Sequence, residues 1–189
     1  VYLRITVPKQ ASETQWVELQ ISSARAERRA KAWLHYLLWL QYLNLDEQGK
    51  DYRYIVVFSD QTITYEGVSS AQANIFLKHW WSLWQHALKT PVVLPAALLL
   101  KPSERNKQPE WAEENGLDEK TWQTLSKHWN DPQKYSDAFS AGEDKASKYH
   151  QDWQFILQEQ DASILLENHC REWAYRLYAP IYEYLNVDE

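Results

Sequence analysis

Glu18 is a carboxylate whose place in the sequence could serve hydrolytic chemistry. It lies in an alternating segment, residues 14–21, which predicts a β-strand that leads into a long helix. Hydrolysis with Mg²⁺ requires several oxygen ligands around the cation and a water molecule beside it. Residues 1–12 contain no Asp or Glu, and the neutral Gln20 follows two positions after Glu18. One carboxylate beside a neutral Gln20 cannot hold and use a hydrated Mg²⁺, so we expect no catalytic residue, no bound metal and no cofactor at Glu18 and Gln20.

A basic cluster follows in the first two turns of the next predicted helix. It consists of Arg25, Arg28, Arg29 and Lys31, and only Glu27 opposes it. The helix dipole disfavours each cation at this end by about 0.3–1 kcal/mol. The cluster therefore predicts an external anionic partner, either DNA phosphate or an acidic protein surface. A solvated helix face, neutralised by acids elsewhere in the chain, is the alternative that stays open.

The positions of the tryptophans in the sequence favour a role in the hydrophobic core over a role in binding. Aromatic side chains beside positive charge can stack on single-stranded bases. Trp80 and Trp84 lie on the apolar stripe of a predicted helix, Trp81 lies just off that stripe, and Lys78 is the basic residue nearby. We expect Trp80 and Trp84 to lie in the core rather than on a base-stacking surface.

The histidine and cysteine patterns do not predict a metal site or a nucleophile. His79 and His86 are seven residues apart, too far for joint ligation on one straight helix. His169 and Cys170 are adjacent in the sequence and point to different sides of a helix, and Cys170 is expected to be buried and inert. The chain contains no G-x-S-x-G, Walker A or G-x-G-x-x-G motif.

An α/β or α+β fold must position these residues. Strands are predicted at 1–8, 14–21, 53–58 and 62–65, and the first two and the last two each form a hairpin. Helices are predicted at 24–43, 69–89, 96–100, 118–129, 145–160 and 161–179, the last ending near Pro180. This order predicts a small mixed sheet with flanking helices and a helical C-terminal half. We expect one domain, 1–189, with a core at about 1–100 and a helical extension at about 101–189.

Composition narrows the class of protein. The chain has 189 residues, 44% hydrophobic, with 4 Gly and 1 Cys, which argues against disorder and against an all-β barrel or sandwich and excludes an internal disulfide. No apolar stretch approaches the about 20 residues of a membrane span, so no membrane partner is expected. Residues 1–41 carry a net charge of +3 and residues 42–189 a net charge of −9, which leaves room for one basic face. The absence of Met leads us to expect a piece of a longer chain, and the single Cys favours a cytoplasmic location.

Residues 16–23 and the following helix resemble the core of the PD-(D/E)xK nucleases, where one strand supplies an acid and the next an acid-x-lysine pair. Glu18 stands for the second acid, Gln20 stands where the lysine belongs, and the first acid is missing. Over nearly its whole length the chain resembles the C-terminal region of RecC, the gamma subunit of exodeoxyribonuclease V. That resemblance rests on the order of five segments: AKAWLHYLLWLQYL, YRYIVVFSDQTITYEG, KTPVVLPAALLL, SAGEDKASKYHQDWQ and WAYRLYAPIYEYL.

The resemblance implies an inactive, restriction-endonuclease-like core in a non-catalytic subunit of the RecBCD helicase–nuclease. RecB and RecD would be its partner subunits in double-strand break repair, and the basic cluster would meet DNA or an acidic partner surface. Two alternatives stay open. One is an active metal-dependent nuclease that combines Glu18 with acids such as Glu143 and Asp144. The other is a protein-interaction module with no role on DNA.

Overall fold

The structure is a computed structural model that describes residues 14–43, 51–100, 119–130, 148, 151–157 and 160–188. Its internal contacts divide the chain into two units. The first unit comprises the chain up to Trp81 together with the segment from Pro180 onward, and the second comprises Ser82–Ala179. The expectation of one domain, with a core at about 1–100 and a helical extension at about 101–189, stays a prediction.

A mixed four-stranded sheet belongs to the first unit. Its strands are β1 (Gln15–Leu19), β2 (Arg53–Val57), β3 (Thr62–Tyr65) and β4 (Leu185–Asp188), hydrogen-bonded in that order. β1 runs parallel to β2, whereas β2–β3 and β3–β4 are antiparallel. Helix α1 (Ala26–Leu43) connects β1 to β2, because parallel neighbours require a crossover connection. The predicted small mixed sheet with flanking helices is confirmed.

The strand predictions have different outcomes. The hairpin predicted at 53–58 and 62–65 is confirmed as β2 and β3, with the Phe58 N–H donating to the Gln61 carbonyl at 2.9 Å across the turn. The other predicted hairpin has its first strand, 1–8, outside the described residues. Its second strand is β1, which pairs with β2. Sequence reasoning missed β4, because the alternation of Leu185–Asp188 covers only four residues, and this strand is fixed by pairing with β3.

Helix α1 covers one face of the sheet and forms the core of the first unit. The Trp33 and Tyr36 rings lie with their centroids 5.4 Å and 6.1 Å from that of Tyr65 on β3. Trp16 on β1 meets Trp39 edge-on at 5.8 Å. Eighteen residues without Gly or Pro allow α1 to present this aromatic face without a break. Other fully buried side chains of this core are Leu37, Leu40, Tyr54, Val56 and Ile63.

The opposite face of the sheet is open to solvent over β1. Val17 is 54% exposed and Leu19 is 74% exposed, because the pleat alternates them with the buried Trp16. Ile55 and Val57 lie on the same face of β2 and are half-buried. The half of this face over the parallel pair is therefore apolar.

The remaining helices confirm the predicted helical C-terminal half. The helix predicted at 161–179 does not end at Pro180 but continues to Glu183, with a π-helical stretch before α7. A proline removes a helix hydrogen bond, and burial of the neighbouring Ile181 and Tyr178 offsets that loss. The helices are α2 (Ser70–Ala87), α3 (Ala96–Leu99), α4 (Glu119–Trp129), α5 (Gln151–Leu157), α6 (Ala162–His169), the π-helical stretch (Cys170–Ala174) and α7 (Tyr175–Glu183).

The expected burial of the α2 tryptophans is wrong for Trp84. Trp84 is 42% exposed and Trp81 is 36% exposed, while Trp80 is half-buried. Ala73 is the α2 residue that is fully buried. An apolar stripe at helical spacing does not distinguish a core-facing side from an exposed one, which explains the error. None of the helices in the described ranges is long and apolar enough to span a bilayer.

Candidate functional site

Glu18 lies in a hydrogen-bonded cluster at the β1 edge of the core. The Tyr54 hydroxyl, on the neighbouring strand β2, donates to Glu18 Oε2. Gln20 Nε2 donates to Glu18 Oε1 at 2.6 Å. His35 of α1 places its Nδ1 3.7 Å from Oε2 and 3.4 Å from the Tyr54 hydroxyl. Both carboxylate oxygens therefore already have a donor from a neighbouring side chain.

Electrostatics hold this carboxylate in its charged form. Burial alone raises the pKa of Glu18, but the hydrogen bonds from Tyr54 and Gln20 and the nearby His35 outweigh burial, and the net pKa is below its ordinary value. Burial raises the pKa of Tyr54, and the adjacent Glu18 raises it further. At neutral pH, Glu18 is thus an anion and Tyr54 is a neutral donor.

Packing fixes the cluster between three elements. The Trp16 ring of β1 is parallel to the His35 ring of α1, with centroids 6.3 Å apart and an interplanar angle of 1°. Trp16 also contacts Tyr54 of β2 at a centroid distance of 4.8 Å. The side chains of His35 and Glu18 are 27% and 26% exposed, so the cluster is reached from solvent along one side.

The cluster contains one acid, which limits the chemistry it can perform. A hydrated Mg²⁺ needs carboxylate oxygens that are free to bind it or its waters. Here a cation would have to displace the donors Tyr54 and Gln20 from Glu18. Within the ranges that the structure describes, no three His, Cys, Asp or Glu side chains converge as a metal site would require.

The four residues of the basic cluster do not share one environment. Lys31 is exposed, and Arg25 and Arg28 are half-buried. Arg28 donates through one terminal nitrogen to the Ser23 carbonyl at 2.7 Å. Arg29 is only 4% exposed, its Nε donates to the Ala24 carbonyl at 3.0 Å, and its own carbonyl accepts from the Tyr65 hydroxyl. Arg29 thus anchors α1 to the sheet, and a surface partner would meet the other three residues.

The loop before α1 is attached to the β2–β3 turn. The Ala24 N–H donates to Asp60 Oδ1 at 2.9 Å, and the Ser59 N–H donates to the Ser22 carbonyl at 3.2 Å. These bonds hold the start of α1, and with it Arg25 and Arg28, against a fixed turn. The basic cluster is therefore presented by a constrained backbone.

Sequence reasoning identified Glu18 and Gln20 but missed Tyr54 and His35. The alternation of β2 places Tyr54 on the buried face, and this signal is present in the sequence. The parallel pairing of β1 with β2 is what brings Tyr54 to Glu18, and sequence reasoning did not predict that pairing. His35 approaches only through the packing of α1.

Cys170 is buried, as expected. Burial raises the pKa of its thiol to about 12, so the nucleophilic thiolate is disfavoured at neutral pH.

Comparison with known proteins gives the family of the chain. No curated protein matches it. The sequence model of the RecC C-terminal domain matches residues 3–103, which is more than half of the 189 residues. In the described part of the chain, this match runs from β1 to α3 and includes both the Glu18 cluster and the basic cluster. The chain therefore belongs to the RecC C-terminal domain family, of the exodeoxyribonuclease V complex that acts in RecBCD-type DNA repair.

Proposed function

We propose that this chain is a non-catalytic scaffold domain of the RecC-type subunit, contacting the RecB and RecD subunits and the DNA backbone in the cytoplasm. The state of Glu18 carries the proposal. The acid that stands in the predicted nuclease position accepts hydrogen bonds on both oxygens and has no second acid in its cluster. A carboxylate in this state supports structure rather than cation binding.

The donors of Glu18 also oppose the recruitment of a cation. Tyr54 and Gln20 each form a charge-assisted hydrogen bond, worth about 1.5–3 kcal/mol. To bind a divalent ion, Glu18 would have to lose both hydrogen bonds, and coordination by this one carboxylate would have to offset that loss. In the Glu18 cluster, a hydrogen-bonded contact among β1, β2 and α1 thus takes the place that a metal site would have.

A cleavage assay separates this proposal from the active-nuclease alternative. The purified chain is incubated with linear duplex and single-stranded DNA in Mg²⁺ or Mn²⁺, and the products are followed on denaturing gels. We expect no metal-dependent cleavage by the wild type, by Glu18→Ala, or by the matched control Glu27→Ala, an exposed acid on α1. Cleavage by the wild type that is lost in Glu18→Ala alone would establish the nuclease instead.

The basic cluster supports the DNA-contacting part of the proposal. Lys31 is exposed, and Arg28 is half-buried three residues before it, so both lie on one side of α1. Neutralisation of DNA phosphates by such residues releases counterions and makes binding strongly dependent on salt.

Charge reversal tests that contact. Arg28→Glu with Lys31→Glu should weaken duplex binding by about tenfold or more at low salt and reduce the salt slope by about two, measured by fluorescence anisotropy. The control is Lys78→Glu with Lys127→Glu, the same charge change at exposed residues on α2 and α4. If both double variants bind DNA equally well, the proposed DNA contact at Arg28 and Lys31 is wrong. Co-purification of each variant with RecB and RecD then tests the subunit contacts separately.

A further inference from the structure

His169 attaches a loop of the second unit to α6 through one hydrogen bond, and in a second bond the Tyr178 hydroxyl of α7 donates to the Leu94 carbonyl of the same loop at 3.2 Å. The His169 side chain is buried, at 6% exposure, at the end of α6. The backbone N–H of Val93, in the loop of residues 91–95, donates to His169 Nδ1 at 3.0 Å. An imidazole nitrogen accepts a hydrogen bond only when it carries no proton. The contact therefore requires His169 to be neutral, with its proton on Nε2.

A second histidine lies against the first. His86, near the end of α2, has its ring centroid 5.9 Å from that of His169, and the two rings are almost perpendicular. His86 Nε2 lies 2.9 Å from Thr90 Oγ1, just before the same loop, and the His86 ring also contacts Trp173 at 6.1 Å. The sequence gives no sign of this pair, because 82 residues separate its members.

The surroundings of His169 favour the neutral form. Burial lowers the pKa of His169 first, and the adjacent His86 lowers it further, while Glu172 of the π-helical stretch acts in the opposite direction. In the described residues, His86 and Glu172 are the charged groups that act on His169 from α2 and from its own helix. The neighbouring thiol of Cys170 stays neutral.

We infer that the His86–His169 pair makes the attachment of the 91–95 loop to α6 depend on proton concentration. When a proton from solvent adds to His169 Nδ1, two N–H groups face each other and the Val93 hydrogen bond breaks. The neighbouring His86 also disfavours the charged form of the His169 imidazole. The link between the loop and α6 forms at neutral pH and is lost in acid, whereas the bond from Tyr178 to the Leu94 carbonyl does not depend on His169.

Hydrogen–deuterium exchange with mass spectrometry tests this inference on the full chain. Within residues 91–95 a peptide reports the amides of Val92, Val93 and Leu94, since residues 91 and 95 are Pro, and the Val93 amide is the one that His169 protects. After correction for the intrinsic exchange rate, we expect its protection to fall by about tenfold from neutral pH to about pH 5, the equivalent of one net hydrogen bond. Unchanged protection over this range would overturn the inference.

Two variants identify the group that titrates. His169→Asn keeps an acceptor oxygen at the position of Nδ1 but does not titrate, so its peptide should keep the same protection at both pH values. His86→Asn removes the neighbouring charge, so the midpoint of release should move to higher pH. If His169→Asn does not fold, the His86→Asn shift alone decides. Loss of protection in His169→Asn equal to that of the wild type, or an unmoved midpoint in His86→Asn, would contradict the inference.

Discussion

At the scale of single residues, the difference between a metal ligand and a structural anion depends on what the carboxylate accepts. Glu18 is the acid that the sequence resemblance predicts for a nuclease-like position, and in the structure Tyr54 and Gln20 both donate to it. The sequence shows Gln20 at the place where the resemblance predicts a lysine. It does not show that Tyr54 would supply the second donor, because that depends on which strand lies beside β1.

Tyr54→Phe should destabilise the chain by about 1–2 kcal/mol at neutral pH, because it removes a hydrogen bond to a charged, partly buried group. The folded-state pKa of Glu18 is lowered, so the stability that it contributes is complete above its unfolded value of 4.5 and is lost as pH falls through the folded value. The variant should therefore lose less stability on acidification than the wild type does. Urea denaturation across this pH range measures both effects.

Tyr42→Phe is the matched control for that measurement, because Tyr42 is 70% exposed on the same unit. It should leave the free energy of unfolding within about 0.5 kcal/mol of the wild type. If the two variants behave alike at every pH, the Tyr54–Glu18 bond has no measurable role.

At the scale of elements, the periodicity of a segment predicts the helices and hairpins that form within that segment. Helices α1 and α2 and the β2–β3 hairpin follow from apolar spacing and a polar turn, and their bounds agree with the structure within about two residues. The sequence does not predict an element whose formation depends on contacts with residues far away in the chain. β4 exists because β3 offers it an edge, and α7 passes through Pro180 because Ile181 beyond it is buried.

Gly67 is a backbone requirement of the turn that leaves β3. Its φ is +85°, a conformation that side chains disfavour, and its α-carbon faces the Tyr184 ring. Gly67→Ala should cost about 1–2 kcal/mol in the free energy of unfolding, measured by chemical denaturation. Gly67→Asn should cost less, because Asn tolerates positive φ better. Equal losses in the two variants would mean that space beside Tyr184, rather than φ, sets the cost.

At the scale of the whole molecule, the open face of the sheet is the prominent surface of the first unit. Parallel strands are normally covered on both faces, whereas antiparallel strands commonly leave one face in water. The open face follows this rule, since it is apolar over the parallel pair and carries Thr62 and Thr64 over β3. An isolated chain with such a face is expected to self-associate.

Leu19→Lys should reduce that self-association, because Leu19 is 74% exposed and lies on the strand at the end of the described sheet. Sedimentation velocity at increasing concentration measures the effect, and the free energy of unfolding should change by no more than about 0.5 kcal/mol. The control is Thr64→Lys, which adds the same charge to the polar half of the same face. Equal sedimentation of both variants would show that net charge, not the apolar half, controls association.

The position of β4 also sets an order of events during synthesis. Its partner strand β3 ends at Tyr65, and the contact between Asn186 and Glu66 beside it spans 120 positions in the chain. At about 5–20 residues per second, the ribosome needs on the order of ten seconds to supply that stretch. During this interval β3 has a bare edge, open to pairing with other nascent chains. The first unit thus begins to form early, and its sheet is completed only when the C-terminal strand has been made.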